Sequence, residues 1–386
     1  MKMAFKPCTD SRMKLEPGHA PMIALFPYLG ANPILDILLS AEKNEISGGG
    51  SLSMTTALIV IIILIAIPLI YLATLDGNYK VRRSLEIAAG QQTLFDKIRD
   101  FKSWSDWSPW LMHEPDTTLA FSETPDQEGG WYSWDGKTVG AGKLTHERFI
   151  GTEKIEQRIE FKRPFKSVCS VWWEFEPTSG TTTLVHWNMA GSMPFLLRFM
   201  AKRMSDYISK DYDTGLYMLR GELVADAEVP RITFDGPVEL PNQTALTIPF
   251  DGHLEAMKTA MKEGFPRLGS YLDEKQLSAT GYPFTIYHKV DLKSMHFNCD
   301  MAMPVAAETS SSGFEIKSFP GGRYYKTRLQ GSYEFLELAW YQAYAHLQMQ
   351  KIKPLHKHAS REVYENDPTT LSHSNEIVTS IYIPIK

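Results

Sequence analysis

The segment TTTLVHWNMAGSMPFLLRFMAKRMSDYISKDYDTGLYMLRGEL, residues Thr181–Leu223, changes its period half-way along. From Thr181 to Met189 apolar and polar side chains alternate, as in a half-buried strand. The alternation stops at Pro194. Beyond it Leu197, Met200, Met204, Ile208, Tyr212, Leu216, Leu219 and Leu223 recur at a 3.6-residue spacing, which predicts a long helix with one apolar face.

Working towards the N-terminus, strand-like runs bounded by turn residues fall at Val168–Glu176, Lys154–Phe161, Gly140–Phe149, Gly130–Trp134 and Thr118–Thr124. Val81, Arg83, Leu85 and Ile87 form one more such run, broken at Gly90. Leu94, Phe95, Ile98 and Phe101 then follow at helical spacing. One strand, a short helical part, an antiparallel meander and a closing helix make an α+β helix-grip architecture. Trp104, Trp107, Trp110, Trp131, Trp134, Trp172, Trp173 and Trp187 all lie in this region, and most are expected to be core. Trp172 and Trp173 must point to opposite faces of their strand, so one of them faces inward. His146 and His186 read as isolated imidazoles with surface or satisfied core roles.

Ahead of this region TTALIVIIILIAIPLIYLATL, Thr55–Leu75, carries no charge. At 1.5 Å per residue about 20 residues span a hydrocarbon core of about 30 Å, so the run is expected to be a single membrane helix, residues 54–76, mildly kinked at Pro68. Lys80, Arg82 and Arg83 follow it closely, against Lys43 alone before it, which predicts an inner (plasma) membrane protein with cytoplasmic soluble domains. Residues 1–53 read as a disordered extension. The GGGS run at Gly48–Ser51 followed by Met54 leaves open a natural start at Met54. The whole chain of 386 residues has a net charge of −5 and three scattered cysteines, Cys8, Cys169 and Cys299. Neither a basic excess nor a reading helix is present, which argues against direct nucleic-acid binding. The cysteines form neither a disulfide framework nor a zinc pattern and point weakly to a reducing compartment. The roughly 310 residues after the apolar run suffice for two domains.

FKSWSDWSPW (Phe101–Trp110), GWYSWDGKTVGAGKLT (Gly130–Thr145) and TTLVHWNMAGSMPF (Thr182–Phe195) resemble the polyketide cyclase/dehydratase-type members of the SRPBCC, or START-like, superfamily. The resemblance covers residues 78–227. It implies an apolar cavity between sheet and long helix and does not fix a reaction.

Residues 228–241, with three prolines, read as a linker with one edge strand at most. In 242–386 the order strand, helix, strand, strand occurs twice: Gln243–Phe250, Leu254–Leu272, Phe284–Val290 and Met295–Met301, then Arg323–Leu329, Ser332–Gln350, Glu362–Glu365 and Ile377–Ile383. Two halves around a shared cleft are the expectation. TIYHKVD (Thr285–Asp291), GGRYYKTRLQGSYEFLELAWYQAYAHL (Gly321–Leu347), REVYENDP (Arg361–Pro368) and EIVTSIYIPI (Glu376–Ile385) resemble the GyrI-like small-molecule-binding domain, the effector-binding domain of AraC- and MerR-type regulators. The resemblance implies a glutamate facing cationic or aromatic ligands in an aromatic cleft, and by motif position Glu362 and Tyr364 match it. Two apart on a strand, they share a face. Tyr287, Tyr324, Tyr333 and Trp340 are the candidate walls. His356 and His358 form an H-x-H pair without a third ligand, so no metal is expected there, and no cofactor or catalytic residue is expected elsewhere.

The function expected is a membrane-anchored, non-enzymatic binder or sensor of a hydrophobic or cationic small molecule, with the bilayer as its second partner. A protein partner stays open, because no helix-turn-helix precedes the effector-like domain. The alternative is a hydrolase or cyclase acting on a reactive aromatic or polyketide-like compound, with Glu362 and Tyr364 in the cleft.

Overall fold

A computed structural model describes residues 54–164 and 166–386, with only the backbone of Met54, Thr56 and Ala57. The expectation for residues 1–53 lies outside the described residues. Helix α1, Met54–Thr74, holds the apolar run and keeps its helical path through Pro68. From Leu58 to Tyr71 its large side chains are exposed, Ile70 at 64%. Among the described residues no helix is long and apolar enough to cross a membrane, so the spanning role expected for α1 does not follow from the structure.

The first domain runs from β1 (Asn78–Ile87) through α2 (Gln91–Arg99) and a one-turn helix at Trp104–Trp107 to β2 (Thr118–Phe121) and β3 (Trp131–Asp135). It continues with β4 (Ala141–Ile150), β5 (Lys154–Arg163), β6 (Ser167–Ser179), β7 (Thr182–Ser192) and α3 (Ala201–Leu223). The strands form one antiparallel sheet in the order β1-β7-β6-β5-β4-β3-β2. Strand β1 closes on β7, the last strand of the meander, and lies under α3, which gives the helix grip.

The resemblance implied a hollow between sheet and long helix. The structure fills it. Trp173 and Trp187 are register partners on β6 and β7, both inward, and stack at 4.3 Å. Tyr212 of α3 stacks on Trp187 at 3.9 Å, and Trp104 and Trp107 meet both tryptophans edge-on. Trp172 points outward beneath Lys80, as the alternation required. Bulk at this point is limited by Gly215 on α3, where an added Cβ would lie 2.8 Å from the Trp187 ring and 3.0 Å from Pro109. Alanine is the better helix former by about 1 kcal/mol, but overpacking costs about 1–3 kcal/mol. Gly215→Ala is therefore expected to lower the first domain's unfolding midpoint in a denaturant titration; a higher midpoint would show that the indole yields.

The second domain consists of β8 (Arg231–Leu240), β9 (Gln243–His253), α4 (Leu254–Lys275), β10 (Phe284–Asp291), β11 (His296–Val305), β12 (Glu315–Phe319), β13 (Gly322–Gln330), α5 (Leu336–Met349), β14 (Ser360–Tyr364) and β15 (Val378–Pro384). Its antiparallel sheet has the order β12-β9-β11-β10-β14-β15-β13-β8. The order is symmetric about the β10/β14 junction: β9-α4-β10-β11 and β13-α5-β14-β15 occupy equivalent places. The additional strands β12 and β8 cap the two edges. Most of the segment read as a linker is therefore sheet. Its Pro237 is tolerated because β8 is an edge strand, and Gly236, at φ 96°, stands where the β8/β13 register shifts.

The two domains meet along α3 and α5 through buried polar groups. His346 and His113 approach through their Nδ1 atoms at 3.1 Å, and His113 Nε2 lies 2.9 Å from Gln342 Oε1. Gln342 Nε2 donates to Asp211 Oδ1 at 3.2 Å and to Thr214 Oγ1 at 3.0 Å, while Trp110 Nε1 donates to Asp211 Oδ2 at 3.0 Å. With Gln342 so oriented, His113 donates from Nε2 and accepts at Nδ1 from His346. Tyr341 also donates to the Tyr207 carbonyl at 3.1 Å.

Candidate ligand-binding site

Strand β14 lies beside the symmetry junction, between β10 and β15, and its alternation sends Glu362 and Tyr364 to the face covered by α4 and α5. Thr285 and Tyr287 on β10 share that face, Thr285 directly opposite Glu362. Three aromatic donors converge on the carboxylate. Tyr287 and Tyr364 donate to Oε2 at 2.9 and 3.0 Å, and the indole N–H of Trp340 on α5 donates to Oε1 at 2.5 Å. Because the Tyr364 hydroxyl gives its proton to Glu362, Thr285 must donate to Tyr364, at 2.9 Å.

The walls are rings. Phe265 of α4 and Tyr333 meet Tyr364 edge-on at 5.3 and 5.8 Å, and Trp340 and Phe297 do the same to Tyr287 at 6.1 and 6.2 Å. Tyr333, 37% exposed, forms the rim, whereas Glu362 at the floor is 4% exposed. No cationic side chain pairs with Glu362 among the described residues. Burial raises its carboxyl above the ordinary range, and the donors from Trp340, Tyr287 and Tyr364 offset only part of that. Burial and the neighbouring carboxylate hold the phenols of Tyr287 and Tyr364 well above their usual values. The Cys299 thiol beside them is pushed up to about 12, first by burial and then by Glu362, so it is not poised as a nucleophile.

Five of the six residues named from the sequence thus come together: Glu362, Tyr364, Tyr287, Trp340 and, at the rim, Tyr333. Tyr324 does not. It occupies a β13 position of the opposite parity, which places it across the sheet with its ring 5.4 Å from the Arg361 guanidinium. Phe265, Thr285, Phe297 and Cys299 were not named. Thr285 alternates with Tyr287 within TIYHKVD and was readable, but Phe265 and Phe297 depend on how α4 and β11 dock. Among the described residues no three His, Cys, Asp or Glu side chains form a metal-binding group, His356 and His358 included.

His186 is not the isolated imidazole its sequence context suggested. Its Nδ1 lies 2.6 Å from Ser84 Oγ and its Nε2 3.1 Å from Glu176 Oε1. The residue types are those of a hydrolytic triad, yet Ser84 is mid-strand on the outer face, where extended backbone turns successive N–H groups in opposite directions and cannot aim two of them at one oxyanion. It is an outer-face polar network joined by Arg82 and Glu174.

Residues 79–224 match the family model for polyketide cyclase / dehydrase and lipid transport, and residues 238–386 match that of the GyrI-like small molecule binding domain. The chain therefore carries one SRPBCC-like and one GyrI-like domain. No curated protein matches. Among solved structures, the C-terminal domain of EcmrR is similar at 16% identity, covering 41% of this chain and 98% of its own, with a TM-score of 0.35. SAV2435 bound to tetraphenylphosphonium is similar at 12% identity, covering 40% and 93%, with a TM-score of 0.31. The Aha1 dimer from Colwellia psychrerythraea is similar at 11% identity, covering 37% and 95%, with a TM-score of 0.28.

Proposed function

We propose that this chain is a membrane-tethered, non-enzymatic small-molecule binder or sensor, and that its GyrI-like domain takes a lipophilic aromatic cation. The observation that carries the reading is Glu362: a buried carboxylate held by three aromatic donors and, among the described residues, by no cation. Removing a carboxylate from water is costly unless something neutralises it, and a cation among rings gains both the charge pair and cation–π attraction. The rings already fill the box, so binding is expected to move Trp340 or Tyr333 aside. Direct nucleic-acid contact is no part of the proposal, given the net charge of −5. The test is isothermal titration of the full chain in detergent with tetraphenylphosphonium against neutral triphenylphosphine oxide. Preference for the cation supports the reading, and equal binding removes the role given to Glu362.

The tether is supported by the surface where α1 meets the first domain. Phe195, Leu196 and Phe199 are exposed there beside α1, and Arg198 donates to the Leu75 carbonyl at 3.4 Å. An apolar helix ending on an apolar, basic-edged patch suits a bilayer surface. Lys80, Arg82 and Arg83 after α1 orient the soluble domains to the cytoplasm in this reading. Full-length protein is expected to stay with membranes through an alkaline carbonate wash. Recovery in the supernatant would refute the tether and leave the ligand site untouched.

A further inference from the structure

Directly behind Glu362 on β14, the side chain of Arg361 enters the opposite face of the sheet and is 1% exposed. A guanidinium buried to that degree ordinarily meets a carboxylate. Among the described residues Arg361 has none: Nη1 donates to Gln243 Oε1 at 2.8 Å, Nη2 to the Pro320 carbonyl at 2.8 Å, and Nε has no acceptor. Its charge rests on the rings of Phe284, Tyr324 and Phe319 at 5.4, 5.4 and 6.0 Å. Beside it opens a cleft of about 540 Å³, and Arg361 itself is part of the lining. Ile286, Phe319 and Tyr324 give the cleft an apolar side, Lys317, His288 and His358 a basic one, and no carboxylate of the described residues lines it. Asp300 lies buried beside the cleft and is engaged by Lys317 Nζ at 2.9 Å and His288 Nε2 at 2.8 Å. Lys317 is also paired with Glu315 Oε2 at 3.4 Å, so its own charge is matched, and what stands beside the apolar cleft without a carboxylate partner among the described residues is the Arg361 guanidinium.

We propose that this cleft is a second ligand site, which takes a small aromatic carboxylate, back to back with the Glu362 box and of opposite charge preference. The carboxylate supplies the counter-ion Arg361 lacks, through a shift of Tyr324 that opens the guanidinium and its unpartnered Nε, with His358 on the cleft wall as a second donor. The ring lies against Ile286 and Phe319. The site does not depend on the cation reading, because Arg361 and Glu362 project to opposite faces of the sheet.

The probe is 1-naphthoate, with 1-naphthamide as its uncharged counterpart, titrated into the full chain in detergent by calorimetry. Charge-assisted hydrogen bonds should make naphthoate bind at least about tenfold tighter than the amide, with a Kd below about 1 mM. Arg361→Gln and Ser318→Glu should each weaken naphthoate at least about tenfold without affecting tetraphenylphosphonium binding. Ser318→Glu places a negative charge at the mouth and leaves Arg361 and its partners intact, so it decides the matter even where Arg361→Gln unfolds. Glu362→Gln should do the reverse, weakening the phosphonium and sparing naphthoate. The second site is refuted by absence of naphthoate binding up to about 1 mM, by equal binding of acid and amide, or by indifference to Ser318→Glu.

Discussion

Glu362→Gln should cost about 30-fold or more in affinity for tetraphenylphosphonium while leaving the second domain folded, because breaking a fully desolvated charge pair removes about 2–5 kcal/mol. The fold survives because glutamine has nearly the same shape and its Oε1 can still accept from the Trp340 indole, which only donates. The amide group then faces the phenols, and a Tyr287 or Tyr364 hydroxyl can rotate to accept from it. Removal of a carboxylate whose ionised form is disfavoured by burial offsets part of what the rearranged hydrogen bonds lose. The neutral phosphine oxide, which gains nothing from the charge, should bind parent and variant alike.

Proton linkage gives the same prediction a second readout. Since burial raises the Glu362 carboxyl, part of the protein holds a proton there just below the raised value, and a bound cation must expel it. Affinity for the phosphonium should therefore rise with pH up to the raised value and level off above it, with the slope absent in Glu362→Gln. Loss of affinity with the slope retained would place the titrating group elsewhere. The hydrolase reading separates here too: a catalytic Glu362 would lose turnover of an electrophilic substrate far more than binding on conversion to Gln.

The features legible in the sequence were those fixed by short-range periodicity. The switch at Pro194, the opposed faces of Trp172 and Trp173, and the shared face of Glu362 and Tyr364 follow from local alternation alone. What stayed hidden depends on strands distant in the chain. Five-residue β12 is too short to show a period. Strand β8 was legible only as an edge strand allowed within a linker, because prolines suit edges as well as loops. Tyr324 and Tyr325 are adjacent, and only the pairing of β13 with β15 decides which of them faces which side. The filled interior of the first domain was hidden for the same reason: eight tryptophans can line a hollow or plug it, and the Trp173–Trp187 register decides. The interface of α3 with α5 had no sequence signal, since Asp211 and Gln342 look like ordinary polar positions on the exposed sides of two helices.

That interface should make stability depend on pH in a way a single variant can isolate. Burial raises the Asp211 carboxyl to about 7, against the lowering effect of its bonds from Gln342 and Trp110. Burial lowers His113 to about 3, helped by His346, and lowers His346 to about 4. The signs oppose. A carboxyl that keeps its proton when folded contributes stability that is fully present below its unfolded value near 3.8 and lost as pH rises through about 7. The two imidazoles stay neutral when folded, so their contribution is present above about 6.5 and lost as pH falls towards 4 and 3. The groups around Asp211 are Trp110, Gln342 and Thr214, with the phenols of Tyr207 and Tyr341 close by and the histidine pair beyond Gln342. Asp211→Asn removes only the carboxyl's share. Its free energy of unfolding relative to the parent should therefore rise between pH 4 and pH 8, by up to about 4 kcal/mol for a three-unit shift. The hydrogen bond that asparagine cannot reproduce costs about the same at every pH and so cancels from that difference. A difference that stays level across the range would mean Asp211 is ionised throughout, with water or a cation reaching it between the helices. A rise of the expected size would show that Asp211 keeps its proton at the domain interface well above the ordinary carboxylate range.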